Sequence, residues 1–347
     1  MKKVFKTIVF LLVASFIFSV SDKLLVRKSI YGWWNMTTKV NSFFNSPRNK
    51  YDVVFFGSSH AYASFNPLVI YEETGLSSHV IATQKQPLWA TYFYIDEAIK
   101  RQEPSLIVLD TYAATFTDEY SDEATVYTYC DDFPTGINKL KMINLSTDNL
   151  KRKFDYAVRF TKYHSRWNEL NEDDFSFNPG KLHDRLYGYC KLTTKGKDIQ
   201  RPDTSSVDFK TPLTDKNEEW LIKIIKLCKD NATDIVLVKT PDNETGTERG
   251  HYNYIKELAG KYDVSFVNYN DFYEEIGIDM ANDFFDKTHL NQYGADKFSR
   301  FISSALLGGT LPKEKSKDDG YERAIIRYKR EISGNNNPFV YTPFFQK

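Results

Sequence analysis

Three residues in this chain have the types and order that covalent acyl chemistry needs. Ser59 stands in Gly57-Ser58-Ser59-His60, directly after the apolar run Val53-Val54-Phe55-Phe56. Far downstream, Asp286-Lys287-Thr288-His289 sets a carboxylate three residues ahead of an imidazole. A serine hydroxyl is a weak nucleophile until a nearby imidazole takes its proton and a carboxylate orients that ring. The spacing lets Asp286 reach back to His289 while the ring points at Ser59. Ser59 is therefore the candidate nucleophile, His289 the base and Asp286 the orienting group.

The surrounding elements must bring these two stretches together. Val53–Gly57 reads as a buried strand, and Asn66-Pro67 as a helix start ending near Gly75. Residues 79–82 read as a second strand, Trp89 to Arg101 as an amphipathic helix, and Leu106 to Asp110 as a third strand. Continuous apolar strands alternating with helices mark a parallel sheet covered on both faces. The alternation stops at about 111–213, a stretch rich in Tyr, Asp, Lys and Thr with one helix expected around Leu150 to Leu170. That insertion is expected to lie as a lid over the carboxyl edge of the sheet. The alternation then resumes with a helical stripe over Glu218 to Cys228, a strand at 234–238, a helix from Tyr252 to Lys261, a strand at 264–267 and a last helix from Lys297 to Leu307. The expected architecture is three-layer α/β/α with a five-stranded, mostly parallel sheet. In such sheets ligands bind at the carboxyl ends of the strands, where both Ser59 and the Asp286–His289 loop would emerge.

In that order and at those sheet positions, Gly57-Ser58-Ser59-His60 and Asp286-Lys287-Thr288-His289 resemble the SGNH (GDSL-type) hydrolase superfamily. Its first motif, G-D-S-x, is matched with Ser58 in place of the Asp, and its last, D-x-x-H, is matched in full. The FGSSH opening, Asn66-Pro67 and His164-Ser165-Arg166-Trp167 look like a membrane-anchored, extracytoplasmic branch. That branch is akin to bacterial proteins that modify exopolysaccharide or teichoic acid, such as the lipoteichoic acid D-alanylation and alginate O-acetylation proteins. The resemblance implies a serine esterase or O-acyltransferase without a cofactor, acting on a glycan or acylated polymer beside a membrane-bound O-acyltransferase. The rival expectation is an SGNH-like fold that only binds polysaccharide or such a partner. The superfamily's oxyanion Gly and Asn have no counterpart in Ala82-Thr83-Gln84-Lys85-Gln86 or Asp110-Thr111-Tyr112-Ala113. The remaining donors would be the Ser59 backbone N–H and the side chain of Gln86 or Tyr112.

Other polar residues carry a plain reading beside a functional one. His60 would touch substrate or bond a neighbouring backbone group. His164 and Arg166 would bind an anionic group, or form a structural bond and a stack on Trp167. Lys239 and Asp110 end strands at the active edge, where a solvated lysine and a turn cap are the common outcomes. His79, His183 and His251 show no partner pattern.

Composition excludes some classes. The formal net charge is zero, so no basic excess exists to neutralise nucleic-acid phosphates. Cys130, Cys190 and Cys228 have no metal-like spacing, no other cluster shows ligand spacing, and no glycine-rich phosphate loop follows a strand. Lys2, Lys3 and Lys6 flank an apolar run of about 14 residues from Thr7 to Val20. That is the pattern of a signal anchor or a signal peptide over residues 1–28, with the bulk of the chain outside the cytoplasm. Residues 29–50 would then be a connector, 51–306 the α/β domain, and 307–347 a surface extension.

Overall fold

The protein is described here by a computed structural model covering residues 2–25, 36–117, 121–175, 184–197, 199, 202–309 and 318–333. His183, Trp33, Trp34 and the Asn/Pro-rich run at 334–338 lie outside these residues. Helix α1 (Lys2–Leu25) is followed by α2 (Met36–Phe44), β1 (Val53–Gly57), α3 (Ser59–Ser64), α4 (Pro67–Thr74), β2 (Ser78–Ala82), α5 (Leu88–Gln102) and β3 (Leu106–Asp110). The insertion contributes α6 (Glu123–Cys130), α7 (Ile137–Ser146), α8 (Leu150–Ala157) and α9 (Arg159–Tyr163). Then come α10 (Asp215–Asp230), β4 (Asp234–Lys239), α11 (Gly246–Lys261), β5 (Ser265–Asn268), α12 (Tyr273–Ile276), α13 (Gln292–Ala305) and α14 (Asp319–Ile332).

The five strands form one sheet in the order β2-β1-β3-β4-β5, every pair parallel. All five expected strands are present within a residue or so at each end. β1, β2 and β3 are buried at every position, as their largely apolar sequences lead one to expect. Right-handed crossovers send the chain left from β1 to β2 and right from β2 onward, which puts α3 and α4 on the opposite face from α5 and α10. The packing agrees, with α13 on α3 and α4, and α5 against α10. The strand order reverses at β1, so the crevice between the carboxyl ends of β1 and β3 is the topological switch point.

Four expectations are corrected. The helix expected over Leu150 to Leu170 is broken, because Val158 leaves helical geometry (φ −118, ψ 88) between α8 and α9 and a 3-10 turn covers His164–Asn168. The insertion is not only a lid: its α7 packs on α5, and α9 packs on α1. Nor is the segment after α13 a mere surface extension. Tyr321 of α14 is fully buried, stacked between Tyr187 (3.9 Å) and Tyr71 (4.3 Å). The connector likewise carries a helix, α2, whose Phe43 is buried and stacked on Tyr51.

These additions close the edge strand β2. The Tyr321 hydroxyl accepts from the Ser78 N–H at 2.8 Å and donates to the Ser78 carbonyl, while the Val80 N–H donates to Tyr187 O at 2.9 Å. An edge so covered cannot recruit another strand. Gly188 makes the approach feasible: its φ is +90, and a Cβ there would sit 1.9 Å from the Val80 carbonyl oxygen. α1 touches the rest of the fold only lightly, with its apolar window wholly unburied, and is long and apolar enough to cross a membrane.

Two substitutions test this closure by urea unfolding. Tyr321→Phe should lose about 1–3 kcal/mol, because both Ser78 backbone groups are left buried without a partner. Gly188→Ala should lose at least about 2 kcal/mol through the steric clash and the left-handed backbone together.

Candidate active site

β1 ends at Gly57, where the chain must turn sharply into α3. Its φ is +153, and a Cβ would lie 2.9 Å from Ala61 Cβ and 3.0 Å from Asp110 Cβ, so only glycine allows β1, α3 and the end of β3 to converge. Ser59 follows as the first residue of α3, 8% exposed at the floor of a cleft. The partner loop is held in a tight hairpin by the Phe284–Leu290 bridge and the Phe285 N–H to His289 O bond of 2.8 Å. Asn291 caps α13 through Tyr293 N–H and Gly294 N–H, and its amide donates back to Asn282 O and Phe284 O. The loop's position is therefore fixed by the helix that follows it.

The two stretches meet. His289 Nε2 lies 2.8 Å from Ser59 Oγ, and His289 Nδ1 lies 2.9 and 3.0 Å from the two Asp286 carboxylate oxygens. A carboxylate only accepts, so Nδ1 carries the hydrogen and Nε2 is left to accept from the serine. Asp286 also accepts from the backbone N–H groups of Thr288 (2.8 Å) and His289 (2.9 Å). Burial raises its pKa, but the bonds from His289 and those N–H groups outweigh this and hold the carboxyl at about 2. It is ionised throughout the neutral range.

A cleft of about 560 Å³ opens over Ser59, walled by Trp89, Tyr112, Phe116, Leu192 and Phe285, with Gln84 and Lys85 at its polar side. Phe116 and Leu192 come from the insertion, so part of it does reach the carboxyl edge. Tyr62, one turn along α3 from Ser59, also lines the cleft.

Behind the triad lies a buried charged cluster that the sequence reading did not anticipate as such. Lys239 at the end of β4 is fully buried, with its ammonium 3.0 Å from Asp242 Oδ2 and 3.4 Å from His60 Nδ1. Asp110 accepts from Thr240 N–H, Thr240 Oγ1 and Tyr112 N–H, tying the ends of β3 and β4 together. Burial pushes the Asp242 carboxyl up to about 6 against the pull of Lys239. Burial, then Lys239 and His289, hold the His60 imidazole well below the usual histidine range, so it sits there neutral. His60 stacks on Tyr112 at 3.6 Å, and its ring centre is 5.0 Å from that of His289. The solvated-lysine reading of Lys239 is thus overturned, and Asp110 is a turn cap.

The other candidates fall elsewhere. Gln86 is buried and donates to Thr91 Oγ1 at 2.9 Å; it is not among the cleft residues, where its neighbours Gln84 and Lys85 are. His164 is exposed and bonds Thr161 O. Arg166 is bonded to both Asp174 oxygens (3.1 Å) and to Leu25 O at the end of α1. Neither lines the cleft, because α9 and the turn after it pack against α1 rather than over the sheet. His79 is buried with Nδ1 against Val80 O, and His251 bonds Thr211 O. Cys130, Cys190 and Cys228 are free and buried, and no cluster among the described residues could hold a metal ion.

Comparison with known proteins adds little. No family model matches the chain, and no curated protein does. Sixteen solved chains match in structure, among them a candidate acylhydrolase from Bacteroides fragilis at 12% identity. That match covers 81% of this chain and 99% of the other with a TM-score of 0.39, too low to carry an argument about function. The site must speak through its own geometry.

Two measurements check it. Lys239→Met, which leaves Asp242 and Asp110 buried without their cation, should lose about 3–5 kcal/mol of stability. Lys210→Met, which breaks the exposed pair with Glu257, should leave stability close to that of wild type. For Asp286, the folded carboxyl titrates at about 2 and an unfolded one near about 3.9. Its ionised form therefore adds stability that is complete above the unfolded value and is lost as pH falls through the folded one. Acid unfolding followed by circular dichroism should be flatter in Asp286→Asn than in wild type over that window.

Proposed function

We propose that this protein is an SGNH-type serine esterase or O-acyltransferase, with acetyl the favoured group, that acts outside the cytoplasm on a cell-surface or secreted polysaccharide. The observation that supports it is the unbroken hydrogen-bond chain from Ser59 through His289 to Asp286 at the floor of an aromatic-walled cleft. Ser59 Oγ attacks the ester carbonyl carbon while its proton passes to His289 Nε2. The resulting oxyanion collapses, the carbon–oxygen bond to the leaving alcohol breaks, and His289 gives that alcohol its proton. Water or a sugar hydroxyl then attacks the acyl-serine, losing its proton to His289, which returns it to Ser59 Oγ. Asp286 keeps Nδ1 protonated and supports the imidazolium formed in each half.

The first N–H groups of α3 lack intrahelical partners by construction and are the available oxyanion donors. Trp89, Tyr112 and Phe116 offer flat apolar faces for a sugar ring. In this reading α1 anchors the protein, with Lys2, Lys3 and Lys6 on the cytoplasmic side, and a membrane-bound O-acyltransferase is the expected partner that supplies acyl groups. One observation favours the rival, non-catalytic reading: Gln86, one of the two side chains anticipated as oxyanion donors, is engaged with Thr91 instead.

The deciding experiment is hydrolysis of a small acetyl ester, with and without an oligosaccharide acceptor. Ser59→Ala should lower kcat/KM by about 10³-fold or more, and Asp286→Asn by a similar order, with both variants folded. Product partitioning toward the acceptor would mark a transferase. Wild-type hydrolysis no faster than that of Ser59→Ala, together with no labelling of Ser59 by a fluorophosphonate, would sink the catalytic reading.

A further inference from the structure

The last turns of α1 are tied to the insertion by three contacts. The Phe18 ring lies 5.3 Å from that of Phe160, Asp22 Oδ2 pairs with Arg159 at 2.6 Å, and the Leu25 carbonyl accepts from Arg166 at 2.5 Å. The level of these contacts relative to a bilayer follows from arithmetic. A span needs about 20 apolar residues to cross a hydrocarbon layer about 30 Å thick. The uncharged stretch between Lys6 and Asp22 has 15 residues, which at 1.5 Å per residue is only about 22 Å. With so little length to spare, Asp22 cannot stand far outside the hydrocarbon, and Phe18 must lie within it or at its boundary. Phe160, ring against ring with Phe18, is then drawn down to headgroup level together with the segment that follows it.

That part of the surface is unusual for a water-facing one. Outside α1, nine large apolar side chains are exposed among the described residues, and six of them belong to one stretch: Ile137, Leu140, Leu150, Phe154, Trp167 and Phe175. Ile137 and Leu140 are three apart on α7, and Leu150 and Phe154 four apart on α8, so each pair shares a helix face. α7 packs on α8, α8 on α9, and the turns carrying Trp167 and Phe175 touch α1 directly. Trp167 is 72% exposed although its neighbour Arg166 is anchored to α1. α8 also carries exposed Lys151 and Arg152 beside its apolar face, the composition of a helix lying in an anionic lipid surface. Exposed Trp at the end of a spanning helix is placed as interfacial aromatic residues are.

We infer that the α7–α9 region of the insertion is a membrane-resting platform, with Leu150, Phe154, Trp167 and Phe175 set into the headgroup layer of an anionic phospholipid bilayer. The inference rests on the reading of α1 as a membrane span. It gives the insertion two jobs: its first and last segments wall the cleft, and its middle seats the α/β domain on the bilayer.

The test uses the full chain in vesicles of phosphatidylcholine and phosphatidylglycerol. Single cysteines carrying an environment-sensitive fluorophore replace Leu150, Trp167, Val13 and Ile326 in turn; the three native cysteines are buried. Quenching by doxyl-labelled lipid should exceed that at Ile326 by at least about twofold for Leu150 and Trp167, and more for Val13. Circular dichroism confirms that each labelled chain is folded. Quenching at Val13 with Leu150 and Trp167 no different from Ile326 would overturn the platform and leave the anchor standing. No quenching at Val13 would overturn the anchor and the platform together, while ester hydrolysis by Ser59 reports separately on the catalytic proposal.

Discussion

The Ser59–His289 hydrogen bond joins residues 230 positions apart, and it exists only because α13 docks on α3 and α4. His289 sits just before α13 and Ser59 begins α3, so any slide between these helices would separate the imidazole from the hydroxyl. Polar bonds fix the docking. The Asn66 backbone N–H donates to Ser299 Oγ at 2.8 Å, and the Asn66 amide donates to Asp296, which also accepts from Tyr328 of α14. Asn66 at the same time caps α4. One buried side chain thus sets the start of a helix and its register against another, and the triad inherits its geometry from that joint.

The environment behind the triad follows from a second constraint. Parallel strands bring β1, β3 and β4 to a common edge, so Ser59, Asp110 and Lys239 converge although they are distant in the chain. Burying a lysine there requires carboxylates around it, and Asp242 and Asp110 supply them. His60 packs between this cluster and His289 with its own charge suppressed. In the proposed mechanism, a neutral ring beside His289 adds no competing cation when that imidazole takes the Ser59 proton.

How much could be read from the residues varied with how local the governing physics is. Each strand of the sheet announces itself through a short run dominated by apolar residues. The triad could be named from two short motifs, because Asp286 and His289 interact within one tight loop and the strand-turn-helix around Gly57 dictates where Ser59 points. α14 is hard to read from the chain because half of its residues are charged, and only Tyr321 and Tyr328 at helical spacing hint at a buried face. Gln86 and Arg166 were misplaced for a related reason: both were assigned by neighbourhood in the chain, and their partners Thr91 and Asp174 are local bonds that win over reaching the cleft.

The sequence by itself determined the alternation of strands and helices, the apolar α1, and the two short motifs that carry Ser59, Asp286 and His289, since periodicity and side-chain chemistry are properties of short segments. The tertiary structure alone decided the rest. It set which strands neighbour which, it buried Lys239 beside His60, it broke the insertion at Val158, and it turned α7–α9 toward α1 rather than wholly over the cleft. Those outcomes depend on surfaces far apart in the chain excluding water from one another, and no local pattern encodes which distant surface a segment will meet.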